Sequence, residues 1–137
     1  MNFTRLCSLL RYLYAPENLT GAGVENPHQF DHQPAAIARA WQALVEREKA
    51  GIVLADEVGL GKTFEALGVM YFYLLHRLCR ERRDEFRALI VLPPRLILKW
   101  TDELERFAKQ VQQLEPQLSE KERPTARAIE RDLPIAR

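Results

Sequence analysis

One stretch constrains this chain more than any other: residues 51–63, Gly-Ile-Val-Leu-Ala-Asp-Glu-Val-Gly-Leu-Gly-Lys-Thr. The apolar run at residues 52–55 reads as a short strand, a glycine-containing turn follows, and Gly61, Lys62 and Thr63 open a long amphipathic helix. Strand, loop and helix in that order give a Gly-x-Gly-Lys-Thr match its physical sense as a phosphate-binding loop. Gly59 and Gly61 let the backbone close around phosphate oxygens. The helix N-terminus turns its free N–H groups and its positive dipole end on the anion. Lys62 is placed to reach the terminal phosphates, and the Thr63 hydroxyl to ligate Mg²⁺. The plain pattern begins with a glycine where this chain has Asp56. The candidate cradle is therefore Asp56, Glu57, Val58, Gly59, Leu60, Gly61, Lys62 and Thr63.

At 137 residues there is room for about one small domain. With 47% apolar and 28% charged residues, the composition is that of a soluble globular protein. A net charge of +1 is too small to steer the whole molecule onto nucleic acid, so any DNA contact needs a local patch. Cys7 and Cys79 lie far apart with no companion ligands. That spacing suggests neither a disulfide framework nor a zinc site, and a reducing cytoplasm is the expected location. No apolar run approaches bilayer-spanning length, and no membrane association is expected. Arg11 cuts the N-terminal apolar stretch short, and no small-residue cleavage site follows, so no signal peptide is expected.

Phe3, Leu6, Leu10 and Leu13 recur at helical spacing and predict a short amphipathic helix over residues 3–14. Pro16, Asn18, Gly21, Gly23, Asn26 and Pro27 then crowd a loop. A second helix is predicted over residues 34–49, with Ile37, Trp41, Leu44 and Val45 on its apolar face. His28 and His32 are four apart, but no third ligand completes a metal set. The helix from Thr63 to about Arg83 carries Phe64, Leu67, Tyr71, Leu74, Leu75 and Leu78 as a broad apolar stripe. Arg77, Arg80, Arg82 and Arg83, interleaved with acids, read as its solvated end. Residues 88–92, Ala-Leu-Ile-Val-Leu, form a continuous apolar run, as in a strand buried on both faces of a parallel sheet. Pro93 and Pro94 stop it, and a further helix carries Leu96, Ile97, Trp100, Leu104, Phe107 and Val111. From Glu115 onward the chain turns polar with no clear period, which predicts a marginal helix at most over residues 119–130 and a frayed end.

Two of these stretches carry a family resemblance. Residues 56–63, Asp-Glu-Val-Gly-Leu-Gly-Lys-Thr, resemble the first motif of the Swi/Snf-type ATPases of helicase superfamily two. The bacterial RNA-polymerase-recycling members are especially similar. Residues 89–107 resemble the second motif, with a strand, a proline turn, then tryptophan and an acidic residue before an aromatic. The resemblance covers roughly residues 27–108. It implies ATP and Mg²⁺ as cofactors and double-stranded DNA as the partner of the full-length motor. It also assigns adenine recognition to Gln33, whose side-chain amide both donates and accepts, with Phe30 as a stacking neighbour. Gln29 is placed less well relative to the helix. Pro94, Arg95 and Lys99 are implicated in touching the DNA backbone. The implied fold is α/β: a partial RecA-like phosphate-loop lobe with parallel strands and crossover helices, behind a helical N-terminal piece. Residues 1–26 would be that piece, 27–112 the partial ATP-binding lobe and 113–137 a polar, frayed tail.

Such a motor also needs an acidic strand end for Mg²⁺ and the attacking water, and arginine fingers from a second lobe. No Asp-Glu-x-His sequence follows an apolar strand after Leu92. The expectation is the front portion of a motor's first lobe, binding ATP without turning it over alone. A stand-alone nucleotide-binding or interaction module, completed by a partner chain, is the alternative. Another phosphate-loop class, such as a small kinase, would need a base-specificity motif or lid that the sequence does not show.

Overall fold

The computed structural model describes residues 1–15, 32–55, 61–82 and 86–132. Five α-helices carry the chain: α1 (Phe3–Leu13), α2 (His32–Val45), α3 (Lys62–Glu81), α4 (Ile97–Gln112) and α5 (Glu122–Asp132). Two 3₁₀ turns, Pro94–Leu96 and Glu115–Gln117, lead out of and into neighbouring helices. The chain divides into two compact units, Met1–Tyr73 and Leu74–Arg137, with the boundary inside α3.

In the first unit, α1 begins at Asn2, whose side-chain oxygen accepts from the Arg5 N–H at 2.8 Å and so caps a helix end that would otherwise leave donors unused. Leu6, Leu9, Leu10 and Leu13 follow at the i, i+3, i+4, i+7 spacing of one helix face, are all buried, and pack α1 against α2. Three contacts climb together along α2 and α3. Gln33 lies against Gly61, Ile37 fills the space beside Gly68, and the Trp41 indole N–H donates to the Phe72 carbonyl at 3.3 Å. Because residue number rises in the same direction on both helices, α2 and α3 run parallel. A Cβ at Gly68 would strike Ile37 Cδ1 and sit 3.0 Å from its Cγ1, so the glycine is what lets the helices approach here. Trp41, Ile37, Phe72 and Tyr71 are buried at this seam.

In the second unit, Leu104, Phe107, Ala108 and Val111 form the buried face of α4, which packs on α5 through Ala126 and Ile129. Ser119 opens α5 with one half of a capping box: its N–H donates to Glu122 Oε2 at 2.8 Å, and its carbonyl accepts from the Glu122 and Arg123 N–H groups. Pro124 sits in that first turn, where its missing donor costs nothing. The stretch expected to be a marginal helix is therefore a capped one with a buried face. Residues 133–137 lie outside the described residues.

The expected α/β fold, with parallel strands at residues 52–55 and 88–92, is corrected by the structure. All regular structure among the described residues is helical, and no sheet is formed. The two apolar runs form no regular structure and lie open, with Val53 and Leu89 each 89% exposed and Val91 83% exposed. A strand is stabilised only by a neighbour that accepts and donates along its length, and neither run has one among the described residues. Around the second run, Ile90, Leu92, Ile97, Trp100, Thr101 and Leu104 line an apolar cleft of about 250 Å³. Trp100, read on the apolar side of its helix, is half-buried in that lining.

Candidate nucleotide site

The parallel run of α2 and α3 brings both N-termini to one end of the first unit. Each terminus presents N–H groups without helical acceptors and the positive end of a helix dipole. Two such ends together, with Lys62 in the first turn of α3, make a local preference for an anion that the nearly neutral chain as a whole lacks.

Gly61 immediately precedes α3 with φ of +82°, in the left-handed region that glycine enters without strain. Its carbonyl accepts the Glu65 N–H at 3.1 Å, the first bond of the helix. A Cβ at this position would collide with the Gln33 amide nitrogen and stand 3.4 Å from Gln33 Cδ. Gln33 is 4% exposed and belongs to the first turn of α2. The side chain expected to read adenine is thus held against the last glycine of the expected phosphate cradle. Lys62 and Thr63, the first residues of α3, are half-buried beside it. Asp56, Glu57, Val58, Gly59 and Leu60 lie outside the described residues, as do Gln29 and Phe30.

Glu65 is the feature that sequence reading missed. Its side chain is fully buried, and Oε1 lies 3.4 Å from Nε2 of His32, which is one-third exposed. Tyr14, at the C-terminal end of α1, is also affected: burial first, and the Glu65 charge second, push its phenol above the ordinary tyrosine range. One carboxylate therefore faces residues from α1 and α2 while sitting on α3. A signal was available in the sequence. Glu65, Gly68, Phe72 and Leu75 recur at three- and four-residue spacing along one buried face of α3. A carboxylate within such a stripe is too costly to be incidental.

The residues present fit a nucleoside triphosphate with Mg²⁺. A glycine without room for a Cβ, two converging helix ends, a lysine and a threonine hydroxyl in the first turn are the donor set such a ligand uses. Among the described residues no group of three or more His, Cys, Asp and Glu side chains is gathered to hold a metal alone. Mg²⁺ takes few protein ligands beside substrate phosphates, which suits a single hydroxyl.

The nucleic-acid candidates belong to the second unit. Pro94 and Arg95 are exposed in the 3₁₀ turn just before α4. Lys99, in the first turn of α4, is exposed and lies 3.7 Å from Glu103. Arg77, at the far end of α3, is paired with Glu81 at 2.5 Å, in keeping with a solvated face.

Comparison with known proteins supplies the family. The family model described as the SNF2-related domain matches residues 32–133, most of the chain. The chain belongs to the SNF2-related family. An uncharacterized ATP-dependent helicase of Mycoplasma pneumoniae is 36% identical over 83 residues, which is 61% of this chain and 8% of that protein. The human DNA annealing helicase and endonuclease ZRANB3 is 42% identical over 55 residues, 40% of this chain and 4% of that protein. Zorya protein ZorD of Escherichia coli is 31% identical over 102 residues, 73% of this chain and 9% of that protein. This SNF2-related chain thus spans less than a tenth of the length of each of these relatives. No solved structure matches it. No helix among the described residues is long and apolar enough to cross a membrane.

Proposed function

We propose that this chain is the ATP-binding portion of a SNF2-type, DNA-dependent ATPase, and that it binds Mg·ATP without turning it over alone. The observation that carries the reading is the packing of the Gln33 amide on Gly61, directly before Lys62 and Thr63. Gln33 reads the adenine edge, Lys62 holds the terminal phosphates and the Thr63 hydroxyl orients Mg²⁺; Asp56, Glu57, Val58, Gly59 and Leu60 complete the cradle in sequence. The bound metal would neutralise phosphate charge during transfer. The described carboxylate nearest these groups in sequence, Glu65, is buried against His32 and is not itself poised to activate water. Full turnover needs an acidic motif and arginines supplied from outside these residues.

In the whole motor, nucleotide-driven closure of two lobes would move the enzyme along duplex DNA, with Pro94, Arg95 and Lys99 on the DNA backbone. The helicase names of the relatives support that setting. The finer reading, a motor of the RNA-polymerase-recycling type, rests on the wording of residues 56–63 alone. Leu89, Val91 and Leu98 are at least 80% exposed around the apolar cleft, which favours cover by further polypeptide, either the rest of the motor or a partner chain.

Calorimetric titration of Mg·ATP into the chain tests the reading. Binding that Lys62→Ala abolishes, with no steady phosphate release, is the expected result. At a hundredfold excess over Kd the ligand should stabilise the fold by about 2.7 kcal/mol. Binding unaffected by Lys62→Ala would refute the assignment, and steady turnover lost in that variant would refute the inertness.

A further inference from the structure

We propose that His32 and Glu65 are a positioning pair that sets base selectivity at the nucleotide site. The inference rests on the proposed ATP site and goes beyond it, since neither residue belongs to the phosphate-loop motif or is the adenine reader.

The contacts along the α2–α3 seam explain why such a pair is needed. Ile37 against Gly68 and Trp41 on the Phe72 carbonyl fix the two helices below the site. Both lie beyond the first turn of α2, which is tied at Gln33 by its packing on Gly61, and helix ends fray unless held at more than one point. Gln33 sits in that turn, and discrimination between adenine and guanine needs its amide held to within a fraction of an ångström. His32 is its neighbour in sequence. Its Nε2 meets Oε1 of Glu65, which lies in the first turn of α3 directly after the residues assigned to phosphate and Mg²⁺. The pair therefore joins the turn that reads the base to the turn that holds the phosphates. A glutamine or an apolar side chain at position 65 would fill a buried space at lower cost than a carboxylate. What the carboxylate adds is a close polar contact with the imidazole, Oε1 to Nε2 at 3.4 Å.

His32 is one-third exposed, so its removal leaves the core of the first unit intact. Titrations of the unmutated chain with Mg·ATP, Mg·GTP and Mg·tripolyphosphate set the reference. An ATP preference of about tenfold over GTP is expected, the size of a well-made hydrogen bond. In His32→Ala that preference should fall to within about twofold, while the affinity for tripolyphosphate stays within about twofold of the reference. His32→Gln, which keeps a polar side chain able to reach Glu65, should recover most of the preference. Glu65→Gln keeps the volume and removes the charge, and should lose part of it. A purely structural role predicts something else: all three ligands weakened in proportion, or none. Either of those outcomes in His32→Ala overturns the inference while leaving the ATP site standing. An unmutated chain that binds ATP and GTP equally overturns the adenine reading of Gln33, and the inference falls with it.

Discussion

Replacing Gly61 with alanine probes the junction on which the site is built. The substitution acts in two separable ways. An alanine held at φ of +82° pays the left-handed penalty of about 1–2 kcal/mol, partly offset by about 0.4–1 kcal/mol from a less flexible unfolded chain. Its Cβ also collides with the Gln33 amide, and forcing a buried side chain out of a packed position costs about 1–3 kcal/mol. The expected loss is about 2–3 kcal/mol, which lowers the urea midpoint by about 1–2 M for a chain of this size. Trp41, buried at the α2–α3 seam, reports the transition by fluorescence. The decisive assay is a double-mutant cycle. Gln33→Ala placed on Gly61→Ala removes the collision and leaves only the backbone penalty, so the pair should be less destabilised than the sum of the singles by about 1–2 kcal/mol. Additivity to within about 0.5 kcal/mol would show that the two residues do not touch, and the reasoning behind the site would fail.

Two further perturbations test the packing around it. Ile129, fully buried on α5, should cost about 2–4 kcal/mol when cut to alanine, measured by chemical denaturation; a loss under about 0.5 kcal/mol would mean that α5 is not packed as described. Tyr14 has its phenol raised above the ordinary value of 10.0, so the stability it contributes is complete below about pH 10 and is lost as pH climbs above it. Tyr14→Phe should flatten that alkaline loss. It should change stability at neutral pH by less than about 1 kcal/mol, because the hydroxyl is buried with no hydrogen-bond partner among the described residues. An unchanged alkaline arm in the variant would refute this.

The helices were legible in the sequence because each carries its own period. Leu6, Leu10 and Leu13 mark α1, Ile37 and Trp41 mark α2, and Leu104, Phe107 and Val111 mark α4; all are buried where a 3.6-residue repeat places them. The last helix was legible only as a marginal one over residues 119–130, for a physical reason. Its inward face is Glu122, Thr125, Ala126 and Ile129, and small or polar residues give the repeat little contrast. Residues 52–55 and 88–92 misled in the opposite direction. Apolar content shows that a segment can be buried in a sheet, but pairing depends on a partner elsewhere, and a short run does not name one. At the site, Gly61, Lys62 and Thr63 could be read from the motif, and Gln33 from its spacing to it. The structure adds that Gln33 and Gly61 are in contact. Leu67, Tyr71, Leu75 and Leu78 of the expected stripe are buried, but Glu65 went unread because a carboxylate does not register in an apolar period; Phe64, counted in the stripe, is only half-buried, whereas Glu65 is fully so.

The claim at the centre of this account is that one nucleotide is held between the first turns of α2 and α3. Amide hydrogen exchange, read by mass spectrometry with and without Mg·ATP, tests it most directly. The account predicts slowed exchange in the peptides covering Gln33 and covering residues 61–65 together, in the unmutated chain and not in Lys62→Ala, with α4 unchanged. Protection confined to α4, or to only one of the two first turns, would contradict it.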